Sequence, residues 1–128
     1  MSDYEVLNKI NSPADVKKLN AAERKELAAE MRAAILNRVS KIGGHLGPNL
    51  GTVELAIALH TVFDSPKDKI ILDVSHQSYP HNLLTGRRQG FQSDEHFRDI
   101  SGYTNPQESE YDVFIVGHTS TSVSLAAG

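Results

Sequence analysis

The sequence predicts an α/β fold in which parallel strands are flanked by helices, and two features support this class. Long segments carry apolar residues at helical spacing, whereas residues 70–74 and 113–116 are short apolar runs rich in β-branched residues. Each run ends in a loop of small and polar residues that contains a histidine. Because ligands bind beyond the carboxyl ends of parallel strands, these two loops mark the predicted functional edge of the sheet.

The composition excludes several classes of function. The chain has 128 residues, a net charge of -3 and no cysteine. The length suits one small domain, and the negative charge disfavours a nucleic-acid or anionic-membrane partner. Without cysteine there is no disulfide or thiolate chemistry, which is typical of a cytoplasmic protein. The sequence shows no signal peptide and no apolar run long enough to span a membrane, so no membrane association is expected.

Two helices are predicted before the glycine-rich loop at residues 41–51. Serine, proline and aspartate within residues 12–15 favour the start of a short helix. Asn20 and Glu23 have capping-box spacing and predict a longer helix over residues 21–42. Its apolar residues recur every three or four positions and predict a buried face, and its charged residues are expected to face solvent. The apolar stripe comprises Leu27, Met31, Ile35, Val39 and Ile42, and the charged face comprises Lys25, Glu26, Glu30, Arg32 and Lys41.

The remaining helices are predicted after a glycine-rich loop. Residues 52–63 are apolar on nearly all sides, which predicts a helix that is buried or becomes buried when a partner docks. We therefore expect the chain to self-associate. A short helix is predicted over residues 79–84, a long mobile connection over residues 89–106 and a further helix over residues 119–127.

The glycine-rich loop, residues 41–51, is the first candidate for a site. It contains four glycines and His45. The loop is either a helix C-cap followed by a turn, or a backbone shaped for close approach by a ligand.

Histidines are the second candidate feature. His45, His76 and His118 all lie in loops of small residues, and are predicted near one edge of the sheet. They could transfer protons or donate to an anionic ligand, or each could be an ordinary half-buried side chain. His60 and His96 are interpreted as structural or incidental.

Residues 117–122 follow the second strand and open a helix, so their N–H groups and hydroxyls could bind phosphate. A well-capped helix explains the same residues equally well. A zinc site built from Asp73, His76 and His81 is disfavoured because no further ligand set has a suitable spacing. We therefore predict no metal-binding residue.

Several segments together resemble the 1-deoxy-D-xylulose-5-phosphate synthases, thiamine diphosphate enzymes of the transketolase superfamily. Their order and spacing agree with that family, and together they are highly specific. The matching segments are residues 43–55, 73–81, 84–88, 108–113 and 117–122.

The resemblance implies a reaction and roles for individual residues. The family joins pyruvate and glyceraldehyde 3-phosphate with loss of carbon dioxide, giving a precursor for isoprenoid, thiamine and pyridoxal synthesis. It implies that His45 faces the reacting carbon as a catalytic residue. It also implies that His76 is catalytic and lies by the cofactor and the substrate phosphate. The other cofactor-binding residues that it implies are Gly117, His118, Thr119 and Ser120.

The resemblance further implies that residues 1–128 are the N-terminal part of an incomplete diphosphate-binding domain. The family's Mg²⁺-binding motif and its pyrimidine-binding domain would follow Gly128. The full-length family uses thiamine diphosphate and Mg²⁺ and forms dimers, whereas this chain alone is expected to be inactive and to bind cofactor weakly. The alternatives are another transketolase-like enzyme and a non-catalytic association module.

The sequence also departs from the family pattern. Ser75 stands where the family has glycine, and residues 102–106 do not resemble the usual family loop. The other departures are Pro48, Ser78 and Thr119.

Overall fold

A computed structural model describes residues 4–115, 119 and 121–128. Helices supply its regular structure, and within the described residues no helix is both long and apolar enough to cross a bilayer. The α-helices are α1 (Pro13–Lys17), α2 (Ala21–Ile42), α3 (Gly47–Gly51), α4 (Val53–Val62), α5 (Tyr79–Leu84), α6 (Gln89–Gln92) and α7 (Ser122–Ala127), with 3-10 helices at Leu7–Lys9 and Asp94–Asp99.

The long helix α2 organises the core. Its predicted bounds and its predicted capping box are both confirmed: Asn20 accepts a hydrogen bond from the backbone of Glu23 at 2.8 Å, and Glu23 accepts one from the backbone of Asn20 at 3.0 Å. Leu27, Met31 and Ile35 are fully buried, and α2 packs against α4, α5 and α6. Burial of each of these side chains stabilises the fold by about 1.5–3 kcal/mol.

One charged residue of α2 was wrongly placed on the exposed face. Glu30 is buried, and its carboxylate accepts hydrogen bonds from the backbone of Val6 at 3.0 Å and of Leu7 at 2.9 Å. These N–H groups open a 3-10 helix and have no partner within it. Spacing along α2 cannot show that another segment brings free N–H groups to this carboxylate. The other four charged residues of the predicted face are exposed or half-buried.

Helix α1 supplies a cation to the end of α4. The Lys17 ammonium donates to the carbonyl oxygens of His60 at 3.0 Å, Thr61 at 3.2 Å and Phe63 at 2.7 Å. It also forms an ion pair with Asp64 at 3.2 Å. The last carbonyls of a helix have no partner within it and carry partial negative charge, so Lys17 stabilises the end of α4 and holds α1 against it.

Helix α4 is only partly covered. Its inward face is buried, but Leu55 is 53% exposed, Val62 is 70% exposed and Phe63, just beyond the helix, is 46% exposed. Alanines of α2 and α4 line an open groove between the two helices. The structure therefore leaves on this helix the apolar surface that the sequence predicts a partner to cover.

Neither predicted strand is present in the described part of the chain: residues 70–74 and 113–115 form no ladder, and Val116 lies outside that part. In place of strand pairing, Thr104 connects the two segments. Its N–H donates to the Ser75 hydroxyl at 3.1 Å, and its own hydroxyl donates to the carbonyl of Phe114 at 2.7 Å. Parallel pairing is less stable than antiparallel pairing, and two strands alone do not make a stable sheet. The expected parallel pair is therefore not confirmed.

The segment predicted as a long mobile connection, residues 89–106, is instead built from α6 and a 3-10 helix. Arg38 of α2 is buried and donates to the carbonyls of Ile100 at 2.7 Å and Gly90 at 3.4 Å. Its guanidinium also lies 5.1 Å from the centre of the Phe91 ring. Helices this short give no clear periodicity in a sequence, and the side chain that fixes them belongs to a distant helix.

Candidate functional site

The structure brings two of the predicted site histidines together. The centres of the His45 and His76 rings lie 5.4 Å apart, and the rings meet edge to face at 80°. His45 is exposed and His76 is half-buried. They belong to loops separated by 30 residues of chain, so their proximity comes from tertiary structure.

The glycine loop both ends α2 and admits a close approach. Gly43 has a φ of 82°, and its N–H donates to the carbonyl of Val39 at 2.8 Å, as expected of a C-cap. Gly44 has a φ of 135°, and a Cβ atom there would lie 2.9 Å from the Tyr79 hydroxyl. The C-cap interpretation is therefore confirmed at Gly43, while the close approach at Gly44 is made by Tyr79 of the chain itself, and approach by a ligand stays a prediction.

Asn49 links the two histidine loops. Its amide nitrogen donates to the carbonyl of His45 and, at 3.1 Å, to the carbonyl of His76. Its amide oxygen accepts from the backbone N–H of Tyr79 at 2.9 Å. Thr52 adds a fourth link, since its hydroxyl lies 3.2 Å from the carbonyl of Gln77. Helix α3 and the segment after residue 75 are thus fastened side by side.

A strained turn precedes His76. Val74 and Ser75 have φ values of 60° and 64°, in the left-handed region that β-branched residues rarely adopt. The N–H of Ser75 donates to the carbonyl of Asp73 at 2.6 Å, which tightens the turn. This conformation explains why a glycine suits position 75, where the resemblance notes a departure. Each such residue costs about 1–3 kcal/mol, which the surrounding contacts must offset.

Tyr103 forms a third side of the cluster. Its ring centre lies 5.6 Å from that of His45, at an interplanar angle of 67°. Sequence reasoning did not identify Tyr103 as a site residue. The departure of residues 102–106 from the family pattern was the one signal that pointed to this segment.

His76 has an unused ring nitrogen. Its Nδ1 atom is buried and has no hydrogen-bond partner in the described structure. An unpaired buried polar atom is costly, so a ligand group that bonds to this nitrogen would be favoured. Histidine is the side chain most suited to proton transfer near neutral pH. The cluster can therefore exchange protons with a bound molecule and bond to its polar groups.

A second pair of histidines is buried beneath the site. His60 Nε2 and His81 Nδ1 lie 3.0 Å apart, and His81 Nε2 lies 3.1 Å from a carboxylate oxygen of Asp112. Burial, His81 and Lys17 lower the pKa of His60 to about 3, so its ring is neutral. Its burial and its contact with His81 agree with the interpretation of His60 as structural or incidental.

Asp112 is the centre of this buried network. Arg87 donates to both of its oxygens at 2.8 Å and also to Glu108 at 2.9 Å. Burial raises the pKa of Asp112, but the hydrogen bonds from His81 and Arg87 outweigh burial and hold this pKa well below its usual range. Sequence reasoning missed the network because its members are distant in the chain.

The disfavoured zinc arrangement does not form. His81 faces Asp112, and Asp73 instead accepts hydrogen bonds from the hydroxyl of Ser122 at 2.8 Å and from its N–H at 3.3 Å. Within residues 4–115, 119 and 121–128, no group of three or more potential ligands is placed to hold a metal ion.

Half of the predicted phosphate loop, residues 117–122, lies outside the described structure. Gly117, His118 and Ser120 lie beyond the described residues, and Thr119 is exposed in a turn. Helix α7 begins at Ser122, three residues later than predicted. The cofactor-binding roles of these residues stay predictions.

A family model and the relatives compared with this chain below share one description. A family model described as 1-deoxy-D-xylulose-5-phosphate synthase matches residues 7–128. A 1-deoxy-D-xylulose-5-phosphate synthase from Dictyoglomus thermophilum is 58% identical over 123 residues, which are 96% of this chain and 20% of the relative. Similar proteins of the same name occur in Syntrophomonas wolfei, with 56% identity over 97% of this chain and 19% of the relative, and in Acidovorax sp. strain JS42, with 52% identity over 100% of this chain and 20% of the relative. The chain thus spans about a fifth of the length of these relatives.

Proposed function

The chain belongs to the 1-deoxy-D-xylulose-5-phosphate synthase family, and on that premise we propose that it contributes catalytic histidines to such an enzyme. The reaction joins pyruvate to glyceraldehyde 3-phosphate with loss of carbon dioxide. We assign His45 to proton transfer at the substrate hydroxyls and His76 to the anionic groups of cofactor or substrate. Another transketolase-like reaction, with a different acceptor aldehyde, is the alternative.

The observation that carries this proposal is the cluster of His45, His76 and Tyr103. Two imidazoles and a phenol meet in one accessible place, and the rings of the first two are 5.4 Å apart. Proton donors and acceptors held in advance around a reacting carbon lower the cost of charge that develops there. A non-catalytic association module, the alternative, would not require such a cluster.

The residues present fit part of thiamine diphosphate. The family depends on this cofactor, which supplies a carbon centre that accepts the electron pair released by decarboxylation. The buried and unpaired Nδ1 of His76 fits a polar group of the bound cofactor, and protonation of that ring would favour an anionic one. Because no metal-binding group occurs in the described structure, we assign no residue of this chain to Mg²⁺.

We also propose that residues 1–128 are the N-terminal part of the diphosphate-binding domain. Residues 70–74 and 113–116 would become parallel strands once further strands pair with them. The contacts of Thr104 with Ser75 and Phe114 support this, because they already hold the two segments close together. A cytoplasmic location stays a prediction.

A chimera tests the proposed reaction. In it, this chain replaces the matching fifth of the Dictyoglomus thermophilum relative, and carbon dioxide release from pyruvate is measured with and without glyceraldehyde 3-phosphate. We expect release that depends on glyceraldehyde 3-phosphate, and a loss of about 10²-fold or more in His45→Ala. His96→Ala is the matched control, since His96 lies outside the cluster. Release with another aldehyde but not this one would favour the alternative reaction.

Cofactor binding by the chain alone is a separate measurement. Titration calorimetry with thiamine diphosphate is expected to show weak binding that Mg²⁺ does not strengthen. Tight binding that depends on Mg²⁺ would contradict our assignment of no metal ligand.

We further propose that α4 mediates association with a second copy of the chain. The exposed side chains of Leu55, Val62 and Phe63 support this, because apolar surface of this kind is typical of interfaces. Sedimentation velocity at micromolar concentration should show a dimer or larger species, and Leu55→Lys should shift it to monomer. Leu36→Lys is the control, since Leu36 is 51% exposed on α2. A monomeric wild-type chain would contradict the proposal.

A further inference from the structure

We infer that Asn49 is a positioning residue that fixes the distance between the His45 and His76 rings. The inference rests on the proposed function for the catalytic role of the two rings, whereas the placement of the rings is argued from the contacts of Asn49 alone.

The chemistry of its partners fixes how the Asn49 side chain lies. The carbonyls of His45 and His76 can only accept hydrogen bonds, and the N–H of Tyr79 can only donate one. The amide nitrogen must therefore face the two carbonyls, and the amide oxygen must face Tyr79. Asn49 is fully buried, so water cannot replace any of these partners. In this one orientation, the Asn49 side chain bonds to all three backbone partners.

The loop around His45 needs such an anchor. Glycines at positions 43, 44 and 47 surround it, and glycine gives the backbone more freedom than any other residue. The His45 side chain is exposed, and its ring contacts are to His76 and Tyr103, both of which lie on other loops. Asn49 bonds to the backbone of the residue that carries each ring, across 27 residues of chain for His76. The strained turn at Val74 and Ser75 sets the direction of the His76 loop, and Asn49 sets its distance from the His45 loop.

Aspartate is the most informative replacement. It has nearly the shape of asparagine, but its carboxyl cannot donate to both carbonyls, because the ionised form only accepts hydrogen bonds and the protonated form has a single O–H donor. Asn49→Asp therefore loses at least one of the hydrogen bonds to the carbonyls of His45 and His76 and places an oxygen that repels that carbonyl in its place. The bond from Tyr79 would remain. The change therefore separates the two histidine loops while it leaves the volume of the core unchanged.

Nuclear magnetic resonance of the 128-residue chain tests the inference directly. In the wild-type chain we expect a nuclear Overhauser effect between ring protons of His45 and His76. It should be lost in Asn49→Asp while the resonances of the α2 core persist. The matched control is Asn37→Asp, since the Asn37 amide donates to the carbonyl of Phe91 at 3.1 Å and touches neither loop. The control should keep the effect.

Retention of the ring-to-ring effect in a folded Asn49→Asp variant would overturn the inference. If that variant unfolds, Asn49→Ala removes the same bonds without adding charge and should lose the effect. The wild-type chain provides a third measurement: the side-chain amide protons of Asn49 should exchange with solvent at least about 10²-fold more slowly than those of an exposed asparagine, because both are bonded and buried. Fast exchange would overturn the inference whatever the variants do.

The chimera separates this inference from the proposed function. With an active chimera, we expect Asn49→Asp to lower kcat more than it changes KM, because misplaced rings affect the chemical step more than binding. If the chimera is inactive but Asn49→Asp still loses the ring-to-ring effect, the proposed function fails and the positioning role stands. If the chimera is active and the effect persists in Asn49→Asp, only the positioning role fails.

Discussion

The described part of the molecule contains two pairs of histidines at nearly the same separation and in opposite surroundings. His45 and His76 are 5.4 Å apart, meet edge to face and are reached by solvent. His60 and His81 are 5.1 Å apart, are stacked at 25° and are buried. Proximity of two imidazoles therefore does not by itself mark a functional site.

The neighbours of each pair decide what it can do. In the buried pair, His81 bonds to Asp112, and the low pKa of His60 keeps that ring neutral. In the open pair, the Nδ1 atom of His76 has no partner in the described structure. The Nδ1 atom of His60 also has no partner there, but it is enclosed with its buried ring, whereas the open pair lies where a ligand can reach it. The predictions below test this contrast.

The largest expected effect comes from removing the carboxylate that holds the buried pair. Asp112→Asn leaves the Arg87 guanidinium without its bidentate partner in a buried place, which should cost about 3–5 kcal/mol in the free energy of unfolding. Urea denaturation measures this cost. Asp94→Asn, which breaks an exposed ion pair with Lys41, is the control and should change stability by about 0.5 kcal/mol or less. Equal changes in the free energy of unfolding for the two variants would contradict the contrast between the buried pair and the open pair.

Acid should destabilise the buried pair. The folded-state pKa of His60 is about 3 and the unfolded value is about 6.5, so below pH 6.5 the unfolded chain binds a proton that the folded chain does not. Stability from His60 is complete above pH 6.5 and should fall by roughly 1.4 kcal/mol per unit as the pH decreases toward 3. Asp112 adds its own loss only below about pH 4, where the unfolded carboxyl binds a proton, since its folded-state pKa is lowered.

Thermal unfolding between pH 7 and pH 5 isolates the His60 effect. His60→Gln should flatten the profile over this range. His96→Gln is the control, since the hydrogen bond to Asp99 raises the pKa of this half-exposed histidine and gives its contribution the opposite sign. A wild-type profile that is flat over this range would show that His60 is not kept neutral.

A smaller effect concerns the strained turn that supports the open pair. Val74→Asn should stabilise the chain by about 1 kcal/mol, because asparagine adopts positive φ more readily than a β-branched residue. Val113→Asn is the matched control: Val113 is also half-buried but does not have positive φ, so the same change should destabilise. Urea denaturation measures both, and destabilisation by Val74→Asn would show that the turn is not strained.

The smallest change in the free energy of unfolding is expected for a substitution in the open pair itself. His45→Ala should change the free energy of unfolding by about 0.5 kcal/mol or less, because the ring is exposed. His60→Ala should cost about 2 kcal/mol or more, since it removes a buried ring and its hydrogen bond to His81. Calorimetry of the two variants side by side compares the pairs directly. Similar losses would mean that His45 is structural too.

Local signals predicted the helices well. The bounds of α2 follow from Asn20, Glu23 and the apolar spacing, all within one stretch of chain. The first short helix was likewise expected from residues 12–15, and α1 begins at Pro13. Such features depend on hydrogen bonds and faces that form within a few residues of each other, so a sequence contains the whole cause.

Features made by distant contacts were predicted less well. Residues 70–74 and 113–116 carry the composition of strands, but a strand exists only where another strand pairs with it. Glu30 was expected to face solvent because its partners, Val6 and Leu7, lie more than twenty residues away. The proximity of His45 and His76 was expected from a shared sheet edge. Their rings do meet, but the described structure joins their loops through Asn49.

The contact of Glu30 with Val6 and Leu7 also limits how far this protein can be shortened from its N-terminal side. A version that begins at Ala21 would keep every residue of α2, but it would lose the Asn20 cap and would leave the Glu30 carboxylate with neither of its donors. It would also lose Lys17 and so expose the last carbonyls of α4, more than forty residues further along the chain. The residues before α2 are therefore needed for the stability of the domain, and a shortened chain that keeps these contacts must begin before Val6.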